Sequence, residues 1–221
     1  MKILALEFSS AQRSVALVER AAGPQSWIEH ETVETGTGLS KPFQMIEQVL
    51  RQAGIEREQI RCLAVGLGPG SYTGIRLAIA VAQGWHLARE VNLHGLSSAD
   101  CLAAQAHVQG LRGRIAIIID AQRGEFYLAV YELNSTDWSE LERLRLVSRE
   151  VVVKHSEAGD VLVGPEVSQW FPQGRTIFPR AAILGKLAFD RKAYIEGEKL
   201  EPIYLRKTSF VKAPPPRVLP E

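Results

Sequence analysis

The sequence predicts an α/β protein whose strand and helix pattern begins twice. Three observations carry this. Three short strand-like runs open the chain in succession. A strand, a glycine-rich turn and an apolar helix then follow one another over 63–88. After a polar, Gly-containing stretch at 109–113, a strand–turn–strand pattern starts again.

Taken in order, residues 2–8 read as a buried strand, 9–13 as a turn, 14–18 as a strand pairing back, and 26–33 as a third strand after the turn at Ala22, Gly23 and Pro24. Three strands in a row suggest an antiparallel meander rather than an immediate βαβ unit. Gly36 and Gly38 lead into a helix over 39–53, with Leu39, Phe43, Ile46, Leu50 and Ala53 on one stripe. Pro42 sits in its first turn, where a missing N–H is tolerated, and Gly54 ends it. A strand at 60–67 feeds the glycine-rich stretch. Beyond the helix at 75–88 come a strand at 91–96 and a helix capped by 97–100 that runs to about residue 107. The second half reads as strand 114–120, hairpin turn 121–124, strand 125–133, polar loop 134–140, and strands at 141–147 and 160–163. A short helix or loop at 165–171, a helix at 181–195 and an extended segment at 201–206 complete it. The expected units are 1–108, 109–212 (with helix 181–195 packing back on the first) and a Pro-rich tail at 213–221.

The stretch Gly66-Leu67-Gly68-Pro69-Gly70-Ser71-Tyr72-Thr73-Gly74-Ile75-Arg76-Leu77 organises the chain. It has the look of a phosphate cradle, but its spacing argues otherwise. No Lys follows Gly74, as a P-loop requires, and the next strand ends in His94-Gly95-Leu96 with no acid for a ribose. A tight strand-to-helix turn capped by Ser71 or Thr73 is the better reading. Ser71 is a helix cap before it is a nucleophile, because Thr73 stands where a nucleophile elbow needs glycine. The helix at 75–88 is apolar nearly all round, so it calls for cover on two sides, either within the domain or from another chain.

With 221 residues, 46% hydrophobic, 23% charged and a formal net charge of +1, the chain can build a sizeable core and has no basic face for autonomous nucleic-acid binding. The opening apolar run is cut by Glu7 and is not expected to be a signal peptide, and no run reaches membrane-spanning length. A cytoplasmic protein is expected. Cys62 and Cys101 read as core thiols. The five histidines show no i, i+4 pair, so no metal site is expected. Glu7 and Asp120 each end the first strand of a half. With Ser9, Ser10 and Gly124 they would either front a common cleft able to hold a nucleotide's cation or simply cap their own turns.

Leu67-Gly68-Pro69-Gly70-Ser71-Tyr72-Thr73-Gly74-Ile75-Arg76, Ile119-Asp120-Ala121-Gln122-Arg123-Gly124-Glu125-Phe126-Tyr127 and Glu201-Pro202-Ile203-Tyr204-Leu205-Arg206 resemble, in order, the three motifs of the TsaB (YeaZ) family. The resemblance implies two ribonuclease-H-like lobes of the actin, sugar-kinase and Hsp70 superfamily. It also implies a role in making threonylcarbamoyladenosine beside the anticodon of tRNA. In that family the protein is not the catalyst. It pairs with the homologous, metal-bearing TsaD, and the ATPase TsaE completes the complex. The family's Asp-Thr-Ser opening is replaced here by Glu7-Phe8-Ser9, and the His-x-x-x-His of TsaD has no counterpart in 39–53.

The resemblance further implies that helices 39–53 and 75–88 pack on the same helices of TsaD, or of a second copy when the chain is alone. Candidate interface residues are Leu39, Phe43, Ile46, Leu50, Tyr72, Arg76, Leu77, Val81 and Trp85. Of the two stripes on helix 75–88, the bulkier, with Leu77, Val81, Trp85 and Ala88, is expected to face the partner, and that with Ile75, Ile79 and Ala82 the core. Catalytic residues and a tightly bound cofactor are not expected, and ATP or ADP is expected only within the complex. Contact with tRNA is expected through the complex, the basic Arg206, Lys207, Lys212 and Arg217 reading as a solvated tail. The alternatives are an ATP-binding kinase-like or ATPase protein using Glu7, Asp120 and Gly124, and a peptidase, which lacks a triad or metal cluster.

Overall fold

The structure, a computed structural model, describes residues 1–23, 26–36, 41–191 and 194–206. Leu39, Lys207, Lys212, Arg217 and the Pro-rich tail lie outside the described residues. The first half builds strands β1 (Lys2–Glu7), β2 (Gln12–Arg20), β3 (Trp27–Thr35), β4 (Cys62–Gly66) and β5 (Asn92–Leu96), with helices α1 (Pro42–Ala53), α2 (Tyr72–Arg89) and α3 (Ser98–Val108). The second half builds β6 (Gly113–Asp120), β7 (Glu125–Leu133), β8 (Trp138–Ser148), β9 (Val161–Gly164) and β10 (Arg175–Thr176), with α4 (Arg149–Glu157), α5 (Val167–Trp170) and α6 (Ala181–Asp190).

The two sheets have the same order, β3-β2-β1-β4-β5 and β10-β9-β6-β7-β8. In each, an antiparallel meander is extended by parallel strands on the far side of its first strand. This is the ribonuclease-H-like arrangement, present twice. β1 reads KILALE because both its faces are covered, as for a strand with a parallel neighbour. Pleat parity divides its side chains. Leu4, Leu6 and Phe8 join the core under α1 and α2, and Ile3 and Ala5 join the core under α3 and α6. β6 repeats the division. Ile115, Ile117 and Ile119 pack with α3, whereas Ala116 and Ile118 pack with Val152 of α4 and Val167 of α5.

α3 therefore serves both sheets. Cys101 and Ala104 belong to the first core, and Ala99, Leu102, Ala103 and Ala106 to the second. α6 docks its N-terminus on the first sheet. The Ala181 N–H donates to Ser14 Oγ at 2.8 Å, the Ala182 N–H to Glu31 Oε1 at 3.1 Å, and Arg180 pairs with Glu31 at 2.6 Å. The first two bonds use backbone N–H groups that a helix start leaves without partners.

Three segments differ from the sequence reading. β8 begins at Trp138, inside the expected polar loop, because that ring packs edge-on against Tyr131 at 5.6 Å. α4 was not anticipated, since only its Val152 is fully buried and its pattern is mostly polar. α6 stops at Asp190 rather than at 195. The chain is extended by Ile195, whose N–H donates to Leu93 O at 2.8 Å and joins the β5 edge, while Arg191 is held by Asp100 at 2.8 Å.

Candidate docking site

At the glycine-rich stretch the Ser71 side chain caps α2, accepting from the Gly74 N–H at 3.3 Å. The Ser71 N–H donates to Ser9 O at 2.6 Å. A Cβ on Gly70 would lie closer than 3.0 Å to Ser9 O, and one on Gly74 closer than 3.0 Å to Phe8 O; Gly70 also has φ +145°. The glycines let the start of α2 press against the β1–β2 turn. This close approach of the Phe8 and Ser9 carbonyls gives the glycines their place in a tight turn.

Glu7 and Asp120 are each engaged at their own turn. Glu7 is fully buried, accepting from the Ser9 N–H at 2.8 Å and from Ser98 Oγ at 2.9 Å. Burial pushes its carboxyl above the ordinary value of 4.5, against the pull of Ser9 and Ser98. Ser9 and Ser10 are buried too, and Ser10 Oγ bonds Gln12 O within the turn. Asp120 accepts from the Gln122 N–H at 2.7 Å and Gln122 Nε2 at 3.0 Å, capping its own hairpin. Its register partner is Phe126, and both lie on the face of Ile118, toward α5. Glu7 has the parity of Ile3 and Ala5, toward α3. The two carboxylates thus end similar strands but face different layers, a distinction of pleat parity that position at a strand end does not reveal. Gly124, at φ +74°, completes the hairpin.

The helix pair α1–α2 presents a different kind of surface. Ile75, Ala78, Ile79 and Ala82 of α2 are buried in the first core. Its outward stripe is Tyr72, Arg76, Ala80, Gly84 and Ala88, one residue per turn, all exposed. Leu87 is 84% exposed and Phe43 of α1 is 66% exposed, a large apolar area without cover among the described residues. Between the helices runs a groove of about 400 Å³ lined by Phe43, Ile46, Ala80, Val81, Gly84 and Trp85 among others. Three residues expected on the partner face sit differently. Leu50 is buried in the core, and Ile46 and Val81 are core residues that reach the surface only as the floor of the groove. Leu77 and Trp85 are partly buried and pack on the same core. The outward stripe consequently runs from Tyr72 and Arg76 through the small residues Ala80, Gly84 and Ala88 rather than through Leu77, Val81 and Trp85.

The three sequence motifs meet at the N-terminal end of this stripe. The Ile203 N–H donates to Leu67 O at 2.9 Å, which lays the C-terminal segment beside the glycine-rich turn. Arg76 Nε donates to Tyr204 Oη at 3.2 Å, and its guanidinium lies 4.4 Å from the centre of the Tyr72 ring. Arg206 donates to Ala121 O at 2.9 Å and pairs with Glu125 at 2.8 Å, fastening the same segment to the second hairpin. Nothing in spacing alone links Arg76 to Tyr204; only the fold brings them together. Among the described residues, no cluster of three or more His, Cys, Asp or Glu side chains could hold a metal ion. No helix of these is long and apolar enough to cross a membrane.

A family model described as TsaD: tRNA N6-adenosine threonylcarbamoyltransferase matches residues 41–205. The tRNA threonylcarbamoyladenosine biosynthesis protein TsaB of Escherichia coli K12 is 30% identical over 179 residues, 73% of this chain and 78% of that protein. The chain belongs to the TsaB/YeaZ family. The TsaB protein of Haemophilus influenzae is 28% identical over 98% of both chains. YeaZ from Pseudomonas aeruginosa superposes with a TM-score of 0.76 at 26% identity, covering 92% of this chain and 99% of that one. The family model's residues 41–205 contain α1, α2, the first two motifs and the third as far as Leu205. The similarity to the Haemophilus TsaB protein, over 98% of this chain, extends over the helix pair as well as the sheets.

Proposed function

We propose that this chain is a non-catalytic docking subunit for synthesis of threonylcarbamoyladenosine on tRNA, pairing through α1 and α2 with a TsaD-like catalytic subunit and completed by a TsaE-like ATPase. The observation that carries the reading is the one-sided cover of α2. Its inner face is sealed in the core, while Ala80, Gly84 and Ala88 leave its outer face flat beside exposed Phe43 and Leu87. Small residues on an exposed helix let a second helix approach closely, and the groove accepts side chains from it. The absence of histidine from α1 supports assigning the chemistry to the partner. In isolation the same face pairs with a second copy. tRNA, ATP and ADP engage the assembled complex in the cytoplasm, not this chain alone.

Co-purification with TsaD-like and TsaE-like subunits tests the reading, followed by a tRNA threonylcarbamoylation assay with and without the chain. Modification is expected to require it. Ala80→Arg, on the exposed stripe, is expected to abolish both co-purification and modification while the chain stays folded, because an unpaired charge in an apolar contact is strongly unfavourable. Full modification without the chain, or unchanged pairing by Ala80→Arg, would overturn the reading. Calorimetry with ATP and magnesium separates it from the ATPase alternative, which demands tight binding and turnover by the isolated chain.

A further inference from the structure

Three arginines border the outward face of the helix pair, and they are not equivalent. Arg57 pairs with Glu47 at 2.6 Å and Arg89 with Glu58 at 3.0 Å, so the groove's own cations are already neutralised. Arg76, one turn beyond Ala80 on the same stripe, has no carboxylate within ion-pair distance among the described residues. It is held instead by neutral groups, the Tyr72 ring and the Tyr204 hydroxyl. Tyr204 engages Nε, and among the described residues nothing bonds the two terminal nitrogens of the guanidinium, which are placed to grip an anion from outside. Tyr72 and Tyr204 are 57% and 55% exposed, so the assembly faces outward. The segment bearing Tyr204 is tied down on both sides, by Ile203 to Leu67 and by Arg206 to Ala121.

We propose that Tyr204 is a positioning residue that presents Arg76 to a carboxylate of the protein docking on α1 and α2, so that this one ion pair fixes the partner's register. The inference rests on the docking reading above and deepens it. An arginine enclosed in an interface without a counter-ion is strongly unfavourable, so a partner that covers this stripe must bring an acid to it. A guanidinium flanked by tyrosines could equally stack on the bases of an RNA loop. The charge around it favours protein. Arg57 and Arg89 are balanced by Glu47 and Glu58, so the same face offers a polyanion no net basic patch, whereas the apolar groove suits a side chain of a protein helix.

The test measures binding of the full-length chain to the TsaD-like subunit by calorimetry at low and high salt. Arg76→Gln is expected to weaken binding by about tenfold or more and to flatten its salt dependence, as loss of a charge-assisted pair requires. Tyr204→Phe keeps the ring and the charge but frees the guanidinium, and is expected to weaken binding by about threefold to tenfold, the worth of one oriented hydrogen bond. Both variants should retain the wild-type melting temperature, since Arg76 and Tyr204 are exposed. If the wild-type chain does not bind, the docking reading fails. If it binds and Arg76→Gln binds equally with the same salt slope, only this inference fails. If Arg76→Gln instead loses affinity for an anticodon stem-loop RNA while binding the subunit normally, the patch belongs to RNA and the proposal is overturned.

Discussion

Gly74 and Gly84 lie on the same helix, and replacing each by alanine is expected to move stability in opposite directions. At Gly84 an added Cβ meets nothing within 4 Å, and the position is exposed in mid-helix. Alanine there gains the difference in helix propensity, about 0.8–1 kcal/mol. At Gly74 the same gain is opposed by a Cβ closer than 3.0 Å to Phe8 O. That carbonyl has little room to retreat. The next residue, Ser9, is tied on one side to Glu7 at 2.8 Å and on the other to the Ser71 N–H at 2.6 Å. Forcing α2 off the turn costs about 1–3 kcal/mol as overpacking, and weakening the Ser71–Ser9 bond costs about 1 kcal/mol more. The net expectation is a loss of about 1–3 kcal/mol for Gly74→Ala. Thermal and urea unfolding of the full chain measure both variants. A change of 1 kcal/mol corresponds to about 2–4 °C for a chain of this size. Gly74→Ala matching Gly84→Ala in stability would refute the claim that close backbone approach, not phosphate binding or flexibility, accounts for the glycine.

Two buried carboxylates should give opposite pH dependences. Burial raises Glu7 above its ordinary value, so the folded state binds the proton more tightly than the unfolded one. Its contribution is fully present below 4.5 and declines as pH rises through the raised folded value. Glu7→Gln should remove that decline in denaturation midpoints taken from acid to neutral pH; an unaltered slope counts against it. At Asp160 burial again raises the carboxyl, but Arg114 and His155, each at 2.8 Å, outweigh it and hold it below its ordinary value of 3.8. Its contribution is present above 3.8 and lost as pH falls through the lower folded value. Asp160→Asn should cost about 1–3 kcal/mol at neutral pH and little in strong acid; an equal loss at both ends would contradict the pairing. Both thiols are buried, with Cys62 pushed up to about 12 and Cys101 also raised. A thiol-specific disulfide reagent at near-neutral pH should label neither quickly until denaturant is added, and rapid labelling of the folded chain would argue against this burial.

Much of this protein was legible in its residues. Apolar runs, turn residues and helix caps locate the meander, the Ser71 cap and the end of α1 at Gly54, because those signals act between near neighbours. The three motifs identified the family, and the missing phosphate-binding Lys ruled out a P-loop. Composition also marked α2 as needing two covers, but it could not say where the second would come from. α3, which reads in the sequence as a short helix capped at 97–100, is enclosed between the two sheets, since alanines at 99, 103, 104 and 106 fit a thin layer. Among the described residues, α2 is left open on one side.

Facing direction was the recurrent point at which residues alone stopped. Glu7 and Asp120 look alike as acids at strand ends, Val81 and Ala80 as apolar neighbours on one helix, and Gly74 and Gly84 as two glycines of α2. Local sequence sets which conformations the backbone prefers. Which side of a strand or helix meets another element depends on packing between segments far apart in the chain, as when residue 204 reaches residue 76. The docking face belongs to that second kind of information, because it is what remains of α2 after the rest of the molecule has taken the other side.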